Sequence, residues 1–231
     1  MQKVRFFLNK DLDKFMALQF LDEKGGGVDF GQGIINTHPQ LKGIRSLTEK
    51  ERKKMINEYF NDYYKKNRAK LLKKLALLKT VWRKKEASYF KITKELFDGF
   101  EPQKGMHICY LSIIDCNPRF LDSKCFQTFY GKDISDAIHS IAHEILHFFF
   151  YDFLDKKLKK ESGKLSEDKI WDLSEIFNVV VLESEKYYDI IDKKVIISYP
   201  DHKKHLPKFR KFFKESKNIQ DFIIKGLHEL K

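Results

Sequence analysis

The sequence predicts an α+β domain built around a small sheet, and three observations predict it. Two short runs rich in β-branched and aromatic residues, Met106–Ile114 and Cys125–Tyr130, carry strand chemistry. Long stretches with apolar residues at helical spacing flank them on both sides. An apolar helical stretch, Asp133–Tyr151, follows the second strand directly. With 231 residues, 42% hydrophobic, the chain has the length and composition of one domain with a real core. Residues 1–104 are expected to be mainly helical, and residues 105–231 to hold the strands and the remaining helices.

Taken in order, Phe15–Leu21 is an amphipathic patch, and Gly25-Gly26-Gly27 reads as a flexible loop. It lacks the Lys-Ser/Thr and the strand–turn–helix setting of a phosphate loop. His38-Pro39 reads as a turn. Ser46-Leu47-Thr48-Glu49 has the form of a capping box and predicts a helix over about 47–83, with Leu71, Leu72, Leu75, Leu77, Leu78 and Trp82 as its buried stripe. A second helix is expected over 86–97, ended by Asp98-Gly99 and Glu101-Pro102. The mixed polar and aromatic make-up of Cys125–Tyr130 suggests a strand with one wet face.

Asp133 or Ser135 can cap the next helix, which no Gly or Pro interrupts before Lys160. Within it, His143-Glu144-Ile145-Leu146-His147 places two imidazoles four residues apart, on one face of a helix. Two His ligands at that spacing suit Zn²⁺, and Glu144, one residue on, can take a proton from a water beside the metal. His139, one turn earlier, reads as a cleft residue or one that supports a ligand from behind, with a plain core or surface His as the alternative. Ser166 caps a further helix from Glu167 to about Glu185, on which Trp171, Glu175, Val179 and Leu182 share a face. A carboxylate on an apolar stripe is costly unless it is paired or bound to a metal, which makes Glu175 the first candidate for a third ligand and Asp172 its rival. Asn178 could support a ligand from one turn later. Lys193–Tyr199 reads as extended, and 208–213 and 219–230 as closing helices.

His143-Glu144-Ile145-Leu146-His147 on an apolar helix resembles the active-site helix of the zincin metallopeptidases. The extended metzincin pattern is absent, because Phe148 to Tyr151 follow with no Gly and Phe153 stands where a third His would be. The resemblance is therefore to the gluzincin type, whose third ligand is a Glu on a later helix. It implies a zincin-like domain, a Zn²⁺ cofactor, a peptide or protein substrate, and Glu144 as general base. It also implies a His or Tyr beyond the second helix that steadies the oxyanion, for which Tyr199, His202 and His205 are the positional candidates. By the same resemblance, the strand Cys125–Tyr130 could pair with an extended peptide substrate.

Composition narrows the other classes. Cys109, Cys116 and Cys125 form no CxxC and read as buried thiols in a reducing compartment. No apolar run reaches the length of a membrane span, and the first fifteen residues lack a signal peptide's apolar core, so a cytoplasmic location is expected. The net charge is +12, and between Asp62 and Glu86 there are ten Lys or Arg and no acid. A solvated helix face accounts for that run. The alternative function is a non-enzymatic basic module on nucleic acid or another anionic partner, with a structural or vestigial metal site.

Overall fold

The computed structural model describes residues 2–102, 105–191 and 198–231. Its architecture is α+β. Strand β1 (Lys3–Phe7) precedes helix α1 (Lys10–Phe20), a hairpin of β2 (Lys24–Gly25) and β3 (Val28–Asp29), and helix α2 (Phe30–Thr37). Helix α3 (Glu49–Leu96) leads to β4 (Met106–Ser112), β5 (Arg119–Phe120) and β6 (Cys125–Phe129). Helices α4 (Ile134–Lys157), α5 (Lys159–Ser162), α6 (Glu167–Leu182), α7 (Tyr188–Ile191), α8 (Leu206–Glu215) and α9 (Ile219–Glu229) complete the chain. Most of the expected extended segment Lys193–Tyr199 lies outside the described residues.

The sheet has the order β1-β4-β6-β5, with β1, β4 and β6 parallel and β5 antiparallel to β6. The strand β1 had no counterpart among the sequence expectations. It pairs Val4 with His107 and Phe6 with Cys109, so the first residues of the chain complete a sheet formed a hundred residues later. The expectation of a wet face on β6 fails: Phe126, Gln127 and Thr128 are all fully buried, so both faces are covered. A peptide cannot add to this strand either. Arg119 and Phe120 pair with Phe126 and Cys125, and Gln127 N donates to Pro118 O at 2.9 Å, so both edges of β6 are taken.

Helix α3 is one element, where two were expected with a break near residue 85. No Gly or Pro falls in that stretch, and Glu86 is held in place by Trp82 Nε1 and Val4 N, which donate to its Oε1 at 3.1 and 2.7 Å. At 48 residues the helix is about 72 Å long. The true capping box is Thr48 with Glu51, two residues after the expected one. Of the expected stripe, Leu71, Leu78 and Trp82 are buried, but Leu72 and Leu77 are exposed among the lysines on the far side.

Two apolar clusters form the interior. The larger joins α4, α6, α8, α9 and the sheet to Leu78, Trp82, Tyr89 and Phe90 of α3. The smaller joins α1 and α2 to Ile56, Phe60 and Leu71 of the same helix, with Ile113, Ile114 and Cys116 at the end of β4. His38 belongs to this second region: it is buried, and its ring meets Ile113 O at 2.7 Å and Tyr59 OH at 2.9 Å. Gly25-Gly26-Gly27 is not a loose connection. Gly26 and Gly27, at φ 58° and 81°, make the two-residue turn of the β2–β3 hairpin, which favours Gly. The hairpin packs against Tyr199: a Cβ on Gly26 would lie 2.7 Å from its ring.

Candidate metal centre

Two packed helices bring the candidate ligands together. Helix α4 is started by Asp133, whose side chain accepts from Asp136 N at 2.7 Å, and its apolar residues bury most of its middle, from Ala137 to Leu154. That burial carries His143, Glu144 and His147 into the interior. Helix α6 starts at Ser166, whose oxygen accepts from Lys169 N, and buries every residue from Leu173 to Leu182. Glu175 lies in that buried run, with its side chain 5% exposed.

The three side chains converge. His143 Nε2 lies 3.0 Å from Glu175 Oε2 and 3.0 Å from His147 Nε2, and His147 Nε2 lies 3.3 Å from Glu175 Oε1. Among the described residues, His143, His147 and Glu175 form the group that could hold a metal ion. Asp172, the rival ligand, is turned away; its side chain is 41% exposed and accepts from His202 Nε2 at 2.8 Å. One further turn of helix separates the two acids, and only Glu175 falls on the side facing α4.

The charge states suit a cation. Burial, followed by the nearby Arg119 cation, pushes the His147 imidazole down to about 3, so it is neutral and offers a lone pair. Burial alone would raise Glu175, but its pairing with His147 and His143 outweighs burial and holds the carboxyl well below the usual range; with His147 neutral, that ring acts through its hydrogen bond, and Arg119 at 3.0 Å supplies the permanent positive charge. Glu144 has no such partner. Burial raises it to about 7, His143 and Arg119 opposing, and its Oε2 is buried without a hydrogen-bond partner among the described residues. It lines the same cavity of about 650 Å³ as His143 and Glu175.

The supporting residues fall partly as expected. Asn178 donates from Nδ2 to the His143 carbonyl at 2.9 Å, so it steadies the helix backbone at the ligand and not the imidazole. His139 lines the cavity, with its ring 6.0 Å from that of His143; its buried Nε2 has no partner among the described residues, and burial lowers it to about 3. Tyr199 and His202 also line this cavity, whereas His205 packs near Phe209 at the start of α8 and does not line it. The ring of His147 shows one gap: its Nδ1 is buried with no partner among the described residues, where a metal-bound imidazole usually donates.

Arg119 is the residue that the sequence reading missed. From the two-residue strand β5 it donates Nη1 to Glu175 Oε1 at 3.0 Å and lays its guanidinium over the Tyr151 ring, 5.6 Å from the centroid. Burial works against its charge, and Glu175, Glu144 and Tyr151 more than restore it. No local pattern announces such a residue, because β5 is too short to show periodicity and the contact spans 56 positions.

Comparison with protein-family models, curated proteins and solved structures finds no match to this chain.

Proposed function

We propose that the protein is a zinc-dependent metallopeptidase with a gluzincin-like ligand set, His143, His147 and Glu175. The observation that carries this reading is the convergence of two imidazole nitrogens and one carboxylate from two helices, with Glu144 next to them in the wall of an open cavity. Three corners of a tetrahedron with zinc–ligand bonds of about 2.0–2.1 Å lie about 3.3 Å apart. The two imidazole nitrogens lie 3.0 Å apart, and each has one oxygen of the Glu175 carboxylate at 3.0 or 3.3 Å, Oε2 for His143 and Oε1 for His147, separations close to that spacing. Two His and one Glu, with a fourth position left open, is a donor set of catalytic zinc sites.

When bound there, the ion would polarise a substrate carbonyl and make an adjacent water more acidic. The rest belongs to the chain. Glu144, ionised at the start, takes a proton from the attacking water as its oxygen bonds to the carbonyl carbon. As the carbon–nitrogen bond breaks, Glu144 returns that proton to the leaving nitrogen. Burial raises the Glu144 carboxyl in the metal-free chain, and a bound cation would lower it again, so that it would stand ionised near neutrality and ready to accept the proton. Tyr199, half-buried and lining the cavity with its hydroxyl raised well above the ordinary range by burial, would donate a hydrogen bond to the oxyanion.

A second reading rests on Arg119. Its guanidinium already supplies a counter-charge to Glu175, so the cluster would be a buried ion pair beside the two imidazoles, with no ion. Metal analysis separates the two. The dialysed protein, refolded with zinc, is expected to hold about one zinc per chain, and His147→Ala is expected to lose it. Glu144→Gln should keep the zinc, while hydrolysis of a peptide mixture falls about 10²–10⁴-fold. A wild-type protein that takes up no zinc would leave the ion-pair reading in place.

A further inference from the structure

A second cavity, of about 1100 Å³, adjoins the first. The two share Cys116, Asn117, Arg119 and Tyr199 as walls. Their linings differ in kind. The first holds His139, His143, Glu144 and Glu175 together with Lys132 and Asp136. The second is walled by Phe20, Phe30, Phe120, Tyr151, Ile170 and Trp171. The aromatic wall is built and not incidental: Phe20 meets Phe30 edge-on at 5.3 Å, and Trp171 meets Tyr199 at 5.2 Å. Its acids, Glu167, Asp168 and Asp172, belong to α6, with Lys24 across from them on the hairpin.

The metal cluster stands where the two cavities meet. Arg119 lines both and touches Glu175, and Tyr151, which lines the second, packs against the His147 ring at 6.2 Å between centroids. A chain laid across the cluster would therefore have one flank in polar surroundings and the other against aromatic side chains. The volume beyond Arg119 exceeds what a single side chain fills, so more than one residue of an extended segment fits.

We propose that this second cavity is the specificity site for peptide substrates, and that it takes a large apolar side chain, aromatic above all, next to the cleaved bond. The proposal rests on the metallopeptidase reading. An acidic side chain is disfavoured there: the aromatic walls cannot solvate it, and Glu167, Asp168 and Asp172 outnumber the cations Lys24 and Arg119, of which Arg119 is already paired with Glu175. Burying a phenyl ring in place of a methyl group favours the aromatic side chain about 10-fold or more.

Two measurements test it, one without catalysis and one with. Zinc-free protein is titrated with N-acetyl-phenylalaninamide, N-acetyl-alaninamide and N-acetyl-glutamic acid amide, following Trp171 fluorescence, with Trp171→Phe as the control for Trp82. The phenylalanine compound should bind about 10-fold more tightly than the alanine compound, and the glutamic acid compound more weakly than either. Leu121→Glu, at an exposed lining position, should erase that preference; Phe20→Ala, which only enlarges the cavity, should weaken it. In the zinc-loaded protein, bonds cut in a random peptide mixture should be enriched in Phe, Tyr, Trp, Leu or Met on one side, through KM, and the enrichment should vanish in Leu121→Glu. Equal binding of the three compounds, or cleavage whose preference Leu121→Glu leaves intact, overturns the proposal. Selective binding of the phenylalanine compound without any cleavage upholds the apolar cavity and overturns the peptidase reading. Zinc-dependent cleavage without an apolar preference does the reverse.

Discussion

Glu175 and Asp172 differ by three positions on one helix, and their surroundings assign them different work. Glu175 is buried against two imidazoles and a guanidinium; Asp172 is partly in solvent and holds His202. Under the zinc reading, Glu175→Gln removes a charged donor, so zinc affinity should fall by about 10-fold or more, as seen when metal-site carboxylates are disturbed. Stability should fall with it if the ion couples to folding. Asp172→Asn should keep full zinc content. Zinc content by elemental analysis and melting temperature for both variants decide the matter, and loss of zinc from Asp172→Asn alone would place the third ligand wrongly. This part of the site was legible because each signal is local. Four-residue spacing puts His143 above His147, and an acid on an apolar stripe marks Glu175. Arg119 was not legible, since its role comes from chain pairing between β5 and β6 and not from any spacing of its own.

Elements place what single residues cannot. The β2–β3 hairpin presses on Tyr199, and its turn requires positive φ at Gly26 and Gly27. Gly26→Ala strains the backbone and drives a methyl group into the Tyr199 ring, 2.7 Å away. It should lower stability by about 1–3 kcal/mol and shift Tyr199, so kcat should fall while zinc content stays whole. Urea denaturation and zinc analysis together check this; unchanged kcat with the expected loss of stability would remove Tyr199 from the chemistry. The basic face of α3 invites a different measurement. Lys65, Arg68, Lys73, Lys79, Arg83 and Lys84 are exposed, while Trp82, the only aromatic between Lys65 and Lys85, is fully buried and cannot stack on a base. Binding to duplex DNA should therefore be weak and should vanish between about 50 and 200 mM salt, as charge-only contacts do. Among the described residues no helix is long and apolar enough to cross a membrane. Most helices were legible from caps and periodicity, and two of the misses, one on a helix and one on a strand, are of one kind. The apparent break near residue 85 and the apparent exposed face of β6 are both decided by distant partners: Val4 N on Glu86, and the Asn117–Phe120 segment laid along β6. The strand β1 was illegible for the same reason, being five residues whose pairing partner lies about a hundred positions away.

At the scale of the whole molecule, one buried acid ties the two apolar clusters together. Asp13 of α1 is 1% exposed and accepts from Tyr64 OH of α3 at 2.6 Å, Ser112 Oγ of β4 at 2.7 Å, Ile113 N at 3.0 Å and Gln127 Nε2 of β6 at 2.6 Å. Four segments far apart in sequence thus meet on one carboxyl. Replacing it with Ala would leave four donors unanswered in the interior and should cost about 3 kcal/mol or more. Its proton equilibrium gives a finer test. Burial is the largest influence and raises the group from 3.8 to about 6, against the four hydrogen bonds, which lower it. Between those two values the folded chain holds a proton that the unfolded chain has lost. The stability of folding must then decline as pH rises from about 4 to about 6, and stay level above that, by about 3 kcal/mol in all. Other carboxylates contribute their own slopes, so the quantity to read is the difference between wild type and Asp13→Asn, which cannot ionise. Urea unfolding at half-unit steps from pH 4 to pH 7 should show the wild type losing stability relative to Asp13→Asn across that window. A difference that stays constant from pH 4 to pH 7 would mean that the four donors keep Asp13 ionised throughout, and that the junction between the clusters is held by a buried anion.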